Sequence, residues 1–294
     1  MRRILFVMSG QEALGASLQD LGSFEKGVLE LRQFPDGETY VRVDSDVRGA
    51  QVVLLCQLHH PDEKILPLLL LVGTLRDLGV HSIGLVAPYL AYMRQDKRFH
   101  AGEGISARYF ARLLSQQFDW LLTVDPHLHR IHALNEVYSM PALALTAVEP
   151  IAQWLRSHVK LPLIVGPDGE SEQWARKVAL AADCPWEVLS KQRFGDREVE
   201  VSLPHVCEYL DRTPVLVDDI ISTGRTMQQA AAHLRASGMQ PPVCIGVHGI
   251  FAPGAREEME AAGLRVVTSN SIADVSNQID LAPLLMLGLQ QFLR

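Results

Sequence analysis

The chain has 294 residues, 48% of them apolar, which is enough for two domains of ordinary size with separate cores. Its formal charge of -7 speaks against a nucleic-acid-binding protein, which must present clustered Lys and Arg to phosphate backbones, so any anionic ligand has to be held locally. The four cysteines, Cys56, Cys184, Cys207 and Cys244, are far apart and form no CxxC pair, so neither a zinc knuckle nor a disulfide framework is indicated, and free thiols in a reducing cytoplasm fit best.

At the N-terminus, RRILFVMS passes from a short apolar run into a Ser-Gly turn, so it reads as a buried strand and not as a leader. RQFPDGETYVRV follows, where Pro35-Asp36-Gly37 supplies the turn of a hairpin. QVVLLCQL is a second buried strand and Lys64 to Leu78 a helix. The apolar run within it, Ile65 to Leu75, is too short to cross a bilayer and is interrupted by Pro67. SIGLVAPYL is a third strand. Arg94, Gln95, Asp96 and Lys97 come shortly after it, at a carboxyl end where ligands of α/β proteins collect, although a solvated charged turn has the same composition. After a helix over Ile105 to Gln117 and the strand WLLTVD comes DPHLHRIH. Its His127, His129 and His132 leave zinc open, but H-x-H spacing alone is a weak signal.

The second half repeats the plan, with strands LPLIVGPD, PVLVDD, VCIGVHG and LRVVTSN and helices Glu172 to Ala182 and Thr226 to Ala236. Short apolar runs alternating with helical segments predict an α/β protein whose two halves each carry a mainly parallel sheet flanked by helices. The boundary is expected near Ala147 to Pro150, giving 1–147 and 148–294, with the last helix free to pack back on the first domain.

The densest chemistry lies in PVLVDDIISTGRTMQQAAAHL. A strand ends in Asp218 and Asp219, a Ser-Thr-Gly loop follows, and then a helix on which Met227, Ala230, Ala231 and Leu234 share one face before Gly238 stops it. A loop entering a helix N-terminus is an anion cradle: backbone amides and the helix dipole favour phosphate, and Ser222, Thr223 and Thr226 add hydroxyl donors. Gly224 lets the backbone approach closely. Two acceptor-only carboxylates ahead of the cradle suit the vicinal hydroxyls of a ribose. The bland alternative, a strand end followed by an N-cap turn, explains each piece but not the assembly. The Lys of a GxxxxGK[ST] loop is missing, so this is not an ordinary P-loop.

This segment resembles the phosphoribosyl diphosphate (PRPP) loop of type I phosphoribosyltransferases and PRPP synthetases. RQFPDGETYVRV, PYLAYMRQDKRF, DPHLHRIH and GPDGESEQWARKVA, in that order, resemble the PRPP synthetase (ribose-phosphate pyrophosphokinase) family specifically, and the likeness runs from about residue 32 to 290. It implies two phosphoribosyltransferase-like domains and transfer of the β,γ-diphosphate of ATP to ribose 5-phosphate, with magnesium as cofactor. By the same likeness His127 and Asp168 serve the metal, while Arg94 and Gln95 meet ATP. Phe34, Asp36 and Glu38 hold adenosine across a subunit contact, which implies at least a dimer. Lys191 and Arg193 occupy the K-x-R positions of the mobile catalytic loop. Asp218, Asp219, Ser222, Thr223, Gly224, Arg225 and Thr226 receive ribose 5-phosphate, and GPDGESEQ is the diphosphate loop, entering a helix whose apolar face carries Trp174 and Val178.

Departures from the family pattern are Ser222 where many relatives carry Asp, Arg225 where Gly is commoner, and GPDGESEQ in place of S-P-D-x-G-G. DKRFHAGEGISAR lacks the longer phosphate-regulation loop and is similar to archaeal forms, so the usual control by phosphate and ADP is not implied. Two rivals remain: a phosphoribosyltransferase that consumes PRPP, disfavoured by RQDK and KQR, and a non-catalytic regulatory relative, left open by Arg225. No membrane span is expected, and a cytoplasmic enzyme is implied.

Overall fold

Fully apolar runs become the centres of two parallel sheets, because a strand covered by helices on both faces has no polar side to show. The structure, a computed structural model, describes residues 1–128, 130–167, 171–194, 198–202 and 208–293, and for 190–202 the backbone path alone. It divides into two units, Met1–Thr146 with Leu281–Arg294, and Ala147–Asp280.

The first unit runs β1 (Arg3–Val7), α1 (Glu12–Gly22), β2 (Glu25–Lys26), β3 (Leu29–Gln33), β4 (Thr39–Val43), β5 (Gln51–Leu55), α2 (Asp62–Asp77), β6 (Ser82–Ala87), α3 (Ser106–Ser115), β7 (Trp120–Val124) and β8 (Ala142–Leu145). The second runs α4 (Val148–His158), β9 (Pro162–Gly166), α5 (Glu172–Ala182), β10 (Trp186–Val188), β11 (Ser190–Phe194), β12 (Glu198–Ser202), β13 (Thr213–Ile221), α6 (Arg225–Ala236), β14 (Val243–Gly249), α7 (Ala255–Ala261), β15 (Arg265–Ser269) and β16 (Asn277–Ile279). Helix α8 (Ala282–Leu289) returns the chain to the first unit.

The sheets are ordered β2-β1-β5-β6-β7-β8 and β10-β9-β13-β14-β15-β16, and every pairing in both is parallel. Each unit thus has the same strand plan, with an antiparallel hairpin, β3–β4 or β11–β12, inserted between its second strand and its third. The α/β expectation of two similar parallel-sheet domains is met. The order reverses direction between β1 and β5, and between β9 and β13, and such switch points open a crevice at the strands' carboxyl ends.

Strand β13 is longer than the sequence run PVLVDD implied. It pairs with β9 only from Thr213 to Leu216 but with β14 as far as Ile221, so Asp218 and Asp219 lie within the strand, beyond the end of β9. Helix α6 buries Met227, Ala230, Ala231 and Leu234 as the spacing predicts, and Gly238 turns left-handed at φ 85° beyond its end. On α5 the buried face is Ala175, Val178, Ala179 and Ala182, and Trp174 is only half-buried. Helix α8 sits on α1, β7 and β8. The rings of Phe292 and Trp120 stack at 4.6 Å, and Arg3 Nη2 donates to Leu293 O at 2.7 Å. No described helix is long and apolar enough to cross a membrane.

Candidate active site

In the second unit the turn out of β13 is shaped by Gly224. Its φ is +67°, and a Cβ there would lie 2.4 Å from Met259 Sδ, so only glycine fits both conformation and space. The loop is anchored from β14's side, where Ala252 N donates to Ser222 O at 3.2 Å and Ile250 N to Ile221 O at 3.0 Å. Gly224 is the N-cap of α6 and has no side chain to cap it, the first turn holds no acidic residue, and Thr223 Oγ1 accepts from Arg225 N at 3.5 Å; Arg225, Thr226 and Thr223 are exposed. A positive helix end carrying an added cation and no acidic residue in its first turn favours an incoming phosphate. Asp218 and Asp219 are half-buried, and the Asp218 carboxylate accepts from Asp219 N at 2.9 Å. The predicted Ser222 to Thr226 cradle and the paired carboxylates therefore form one continuous strand–loop–helix surface.

The topologically equivalent turn of the first unit, from β5 to α2, is built differently. It has no glycine, and the Lys64 ammonium fills it, donating to Gln57 O at 3.2 Å and His59 O at 2.5 Å. The protein's own cation takes up those carbonyls, and of the two equivalent turns, after β5 and after β13, the one after β13 has the glycine leading into a helix end.

In the first unit, three of the four non-glycine residues with left-handed backbone gather at the carboxyl ends of strands, the fourth, Ser23, being the C-cap of α1. His60, Tyr92 and Asp125, all non-glycine, have φ of 51°, 62° and 34°, and they follow the carboxyl ends of β5, β6 and β7 in turn. Such conformations persist where surrounding structure enforces them and cluster at functional sites. Arg94 lies after β6, exposed and unpaired among the described residues. Gln95 is tied to the start of α3, accepting from Ser106 Oγ at 3.1 Å. His127, half-buried, lies after β7. Between these loops the Asp96 carboxylate accepts from Arg130 N at 3.1 Å and Arg130 Nη1 at 3.2 Å. For Arg94 to Lys97 the sequence leaves a ligand-binding carboxyl end and a solvated charged turn both open, and it gives Asp96 no role of its own. Its side chain is 4% exposed, whereas Arg94 and Lys97 beside it are exposed.

Phe34, Asp36 and Glu38 occupy the tip of the β3–β4 hairpin. The turn closes through Phe34 N to Glu38 O at 2.8 Å and Glu38 N to Asp36 Oδ1 at 3.2 Å, and Gly37 takes φ +91°. Phe34 is 39% exposed, edge-on to Tyr40 at 5.8 Å, with the Arg32 guanidinium over both rings. Lys191 and Arg193 fall on β11, opposite Val201 and Val199 of β12. Asp168 lies outside the described residues, as does His129 of the zinc alternative. Among the described residues no group of three or more His, Cys, Asp or Glu could hold a metal by itself. Burial pushes the thiols of Cys56 and Cys244 up to about 12, so they offer no soft site. In the second unit the carboxylates of Asp218 and Asp219 are hard oxygen donors, which suits magnesium, a cation held by few protein ligands together with water and substrate phosphates.

The N-terminal domain of ribose phosphate pyrophosphokinase matches residues 3–117, and the phosphoribosyl transferase domain matches residues 134–284. The ribose-phosphate pyrophosphokinase of Methanobrevibacter smithii is 33% identical over 267 residues, covering 86% of this chain and 89% of its own. The chain belongs to the ribose-phosphate pyrophosphokinase family. That of Methanothermobacter thermautotrophicus is 32% identical over 279 residues, covering 94% and 96%. In fold, the pyrophosphokinase family member resembles the phosphoribosylpyrophosphate synthetase of Mycobacterium smegmatis, with a TM-score of 0.86 over 99% of both chains at 24% identity.

Proposed function

We propose that this enzyme transfers the β,γ-diphosphate of ATP to O1 of ribose 5-phosphate, giving PRPP and AMP. The observation that carries the reading is the β13–α6 surface, where paired carboxylates lead into a glycine turn and a helix N-terminus with no acidic residue in its first turn, in a member of this family. The cradle from Ser222 to Thr226 takes the 5-phosphate, with Arg225 adding a cation at its rim. Asp218 and Asp219 accept from the ribose hydroxyls and orient O1. Arg94 and Gln95 hold the ATP phosphates, and Phe34, Asp36 and Glu38 hold its adenosine.

O1 attacks the β-phosphorus in line. The bond from that phosphorus to the α,β-bridging oxygen breaks, AMP departs, and the proton of O1 passes to solvent. Magnesium, when bound, neutralises the polyphosphate, and His127 and Asp168 are the residues that would hold it. Lys191 and Arg193 stabilise the charge that grows on the bridging and equatorial oxygens. Positioning and electrostatics supply most of the acceleration in such transfers, so no strong general base is required. The enzyme works in the cytoplasm as a homo-oligomer of at least two subunits, with no nucleic-acid or membrane partner.

Purified protein with ATP, magnesium and ribose 5-phosphate should form AMP and PRPP in equal amounts. Absence of AMP from ATP, and of the matching nucleoside monophosphate from several other nucleotide donors, would overturn the reading. Consumption of PRPP with a nucleobase would point to a phosphoribosyltransferase, and restored activity only on mixing with a second subunit to a regulatory relative.

A further inference from the structure

We infer that Asp96 is a positioning residue for diphosphoryl transfer, which by way of Arg130 locks the loop carrying Arg94 and Gln95 to the loop carrying His127; this rests on the function proposed above. The four residues Arg94 to Lys97 look alike in sequence but divide in space. Arg94 and Lys97 face solvent, whereas the Asp96 side chain is 4% exposed, and each of its two oxygens already has a donor, Arg130 N on Oδ2 and Arg130 Nη1 on Oδ1. A carboxylate so enclosed cannot reach nucleotide or metal. Burying it is costly without such donors, so its place in the loop is explained by what it holds.

What it holds is the backbone three residues beyond His127. The two loops it joins each carry a strained residue, Tyr92 at φ 62° after β6 and Asp125 at φ 34° after β7, and strained residues keep their conformation only where neighbours enforce it. The clamp is reinforced on its outer side, where the Arg130 guanidinium and the Lys97 ammonium lie 6.0 and 5.3 Å from the centre of the Phe99 ring. Glu103 closes the same loop, accepting from Phe99 N at 2.7 Å and His100 N at 3.0 Å. A phosphate contact on one loop and a metal ligand on the other are thereby held in fixed register. Metal–nucleotide recognition in the first unit should depend on Asp96, and ribose phosphate recognition in the second should not.

The test is binding of α,β-methylene-ATP, with and without Mg2+ by calorimetry and with Mn2+ by electron paramagnetic resonance, to Asp96→Ala, Asp96→Asn, Arg130→Ala and the Asp96→Ala/Arg130→Ala pair. Asp96→Ala should weaken the metal–nucleotide complex about tenfold or more, the scale of losing hydrogen bonds to a charged group. Metal-free nucleotide should lose less, and the KM for ribose 5-phosphate should stay within about twofold. Asp96→Asn, whose amide oxygen can still accept from Arg130 N, should fall between, and the double variant should be no worse than Asp96→Ala because both changes remove one link. The inference fails if Asp96→Ala, folded by circular dichroism, binds the metal–nucleotide complex like wild type. It also fails if binding drops equally with metal, without metal and for ribose 5-phosphate, the mark of a merely structural role. Should wild type make no AMP while Asp96→Ala still selectively loses the metal–nucleotide complex, the reaction is refuted and the clamp stands.

Discussion

Gly224 carries two constraints at one atom, a left-handed φ of +67° and the side chain of Met259 where a Cβ would go. Gly224→Ala should therefore cost roughly 1–3 kcal/mol in strain and raise the KM for ribose 5-phosphate by about tenfold or more as the loop shifts away from the phosphate. Steady-state kinetics together with a melting curve checks both, and an unchanged KM would remove the loop from phosphate binding. His59 offers a pH test. Burial, followed by the neighbouring His60 and Lys64 charges, holds its pKa below the ordinary 6.5. As pH falls the unfolded chain takes up that proton first, so stability present above about 6.5 is lost through the folded pKa. Wild type should lose stability between about pH 7 and pH 5, and His59→Asn should lose less over the same range when unfolded by urea. The cradle was legible in the sequence because its residues are contiguous. The role of Asp96 was not, because the partner that buries it, Arg130, is 34 positions away.

At the scale of elements, legibility follows burial. Strands β5, β6 and β7 are buried almost end to end and so read as unbroken apolar runs. Strands β2, β10 and β16, two or three residues long at sheet edges, leave no period to find. Helix α8, APLLMLGL, is apolar on nearly every side, so its spacing alone could not reveal the sheet that covers it. It meets that sheet at Gly288, where a Cβ would lie 2.7 Å from Leu122 Cδ1 and 2.8 Å from Leu145 Cδ1. Gly288→Val should destabilise the first unit by roughly 1–3 kcal/mol through overpacking, lowering its thermal midpoint, while Gly288→Ala should cost less. The β11–β12 hairpin is tested by turnover. If Lys191 acts in the transition state, Lys191→Ala should lower kcat by about 10²–10³ and leave both KM values nearly unchanged. Equal losses in kcat and in binding would assign it to substrate capture instead.

Across the whole molecule the same strand plan serves two ends. The first unit, its switch-point turn filled by Lys64, carries the residues proposed for ATP, and the second keeps the cradle proposed for ribose 5-phosphate. The first unit also leaves apolar side chains in water. Leu66 and Leu70, one helical turn apart on α2, are 58% and 41% exposed, and Tyr109 on α3 is 51% exposed. A cavity of about 480 Å³ lies beside Leu66 and Tyr109, lined by these and by Ile65, Tyr92, Phe110 and Leu113, with Asp62 and Ser106 as its polar members. An apolar patch of this kind fits the subunit contact that the proposed oligomer requires. Sedimentation at micromolar concentration should show at least a dimer. Leu66→Glu with Leu70→Glu, which places two charges on the patch without touching the core, should shift it toward monomer. That monomer should still bind ribose 5-phosphate, since Asp218 to Thr226 belong to the other unit, yet turn over poorly if Phe34, Asp36 and Glu38 serve a neighbouring subunit. A double variant that stays oligomeric and fully active would place the contact elsewhere, and a fully active monomer would return the hairpin's residues to their own subunit.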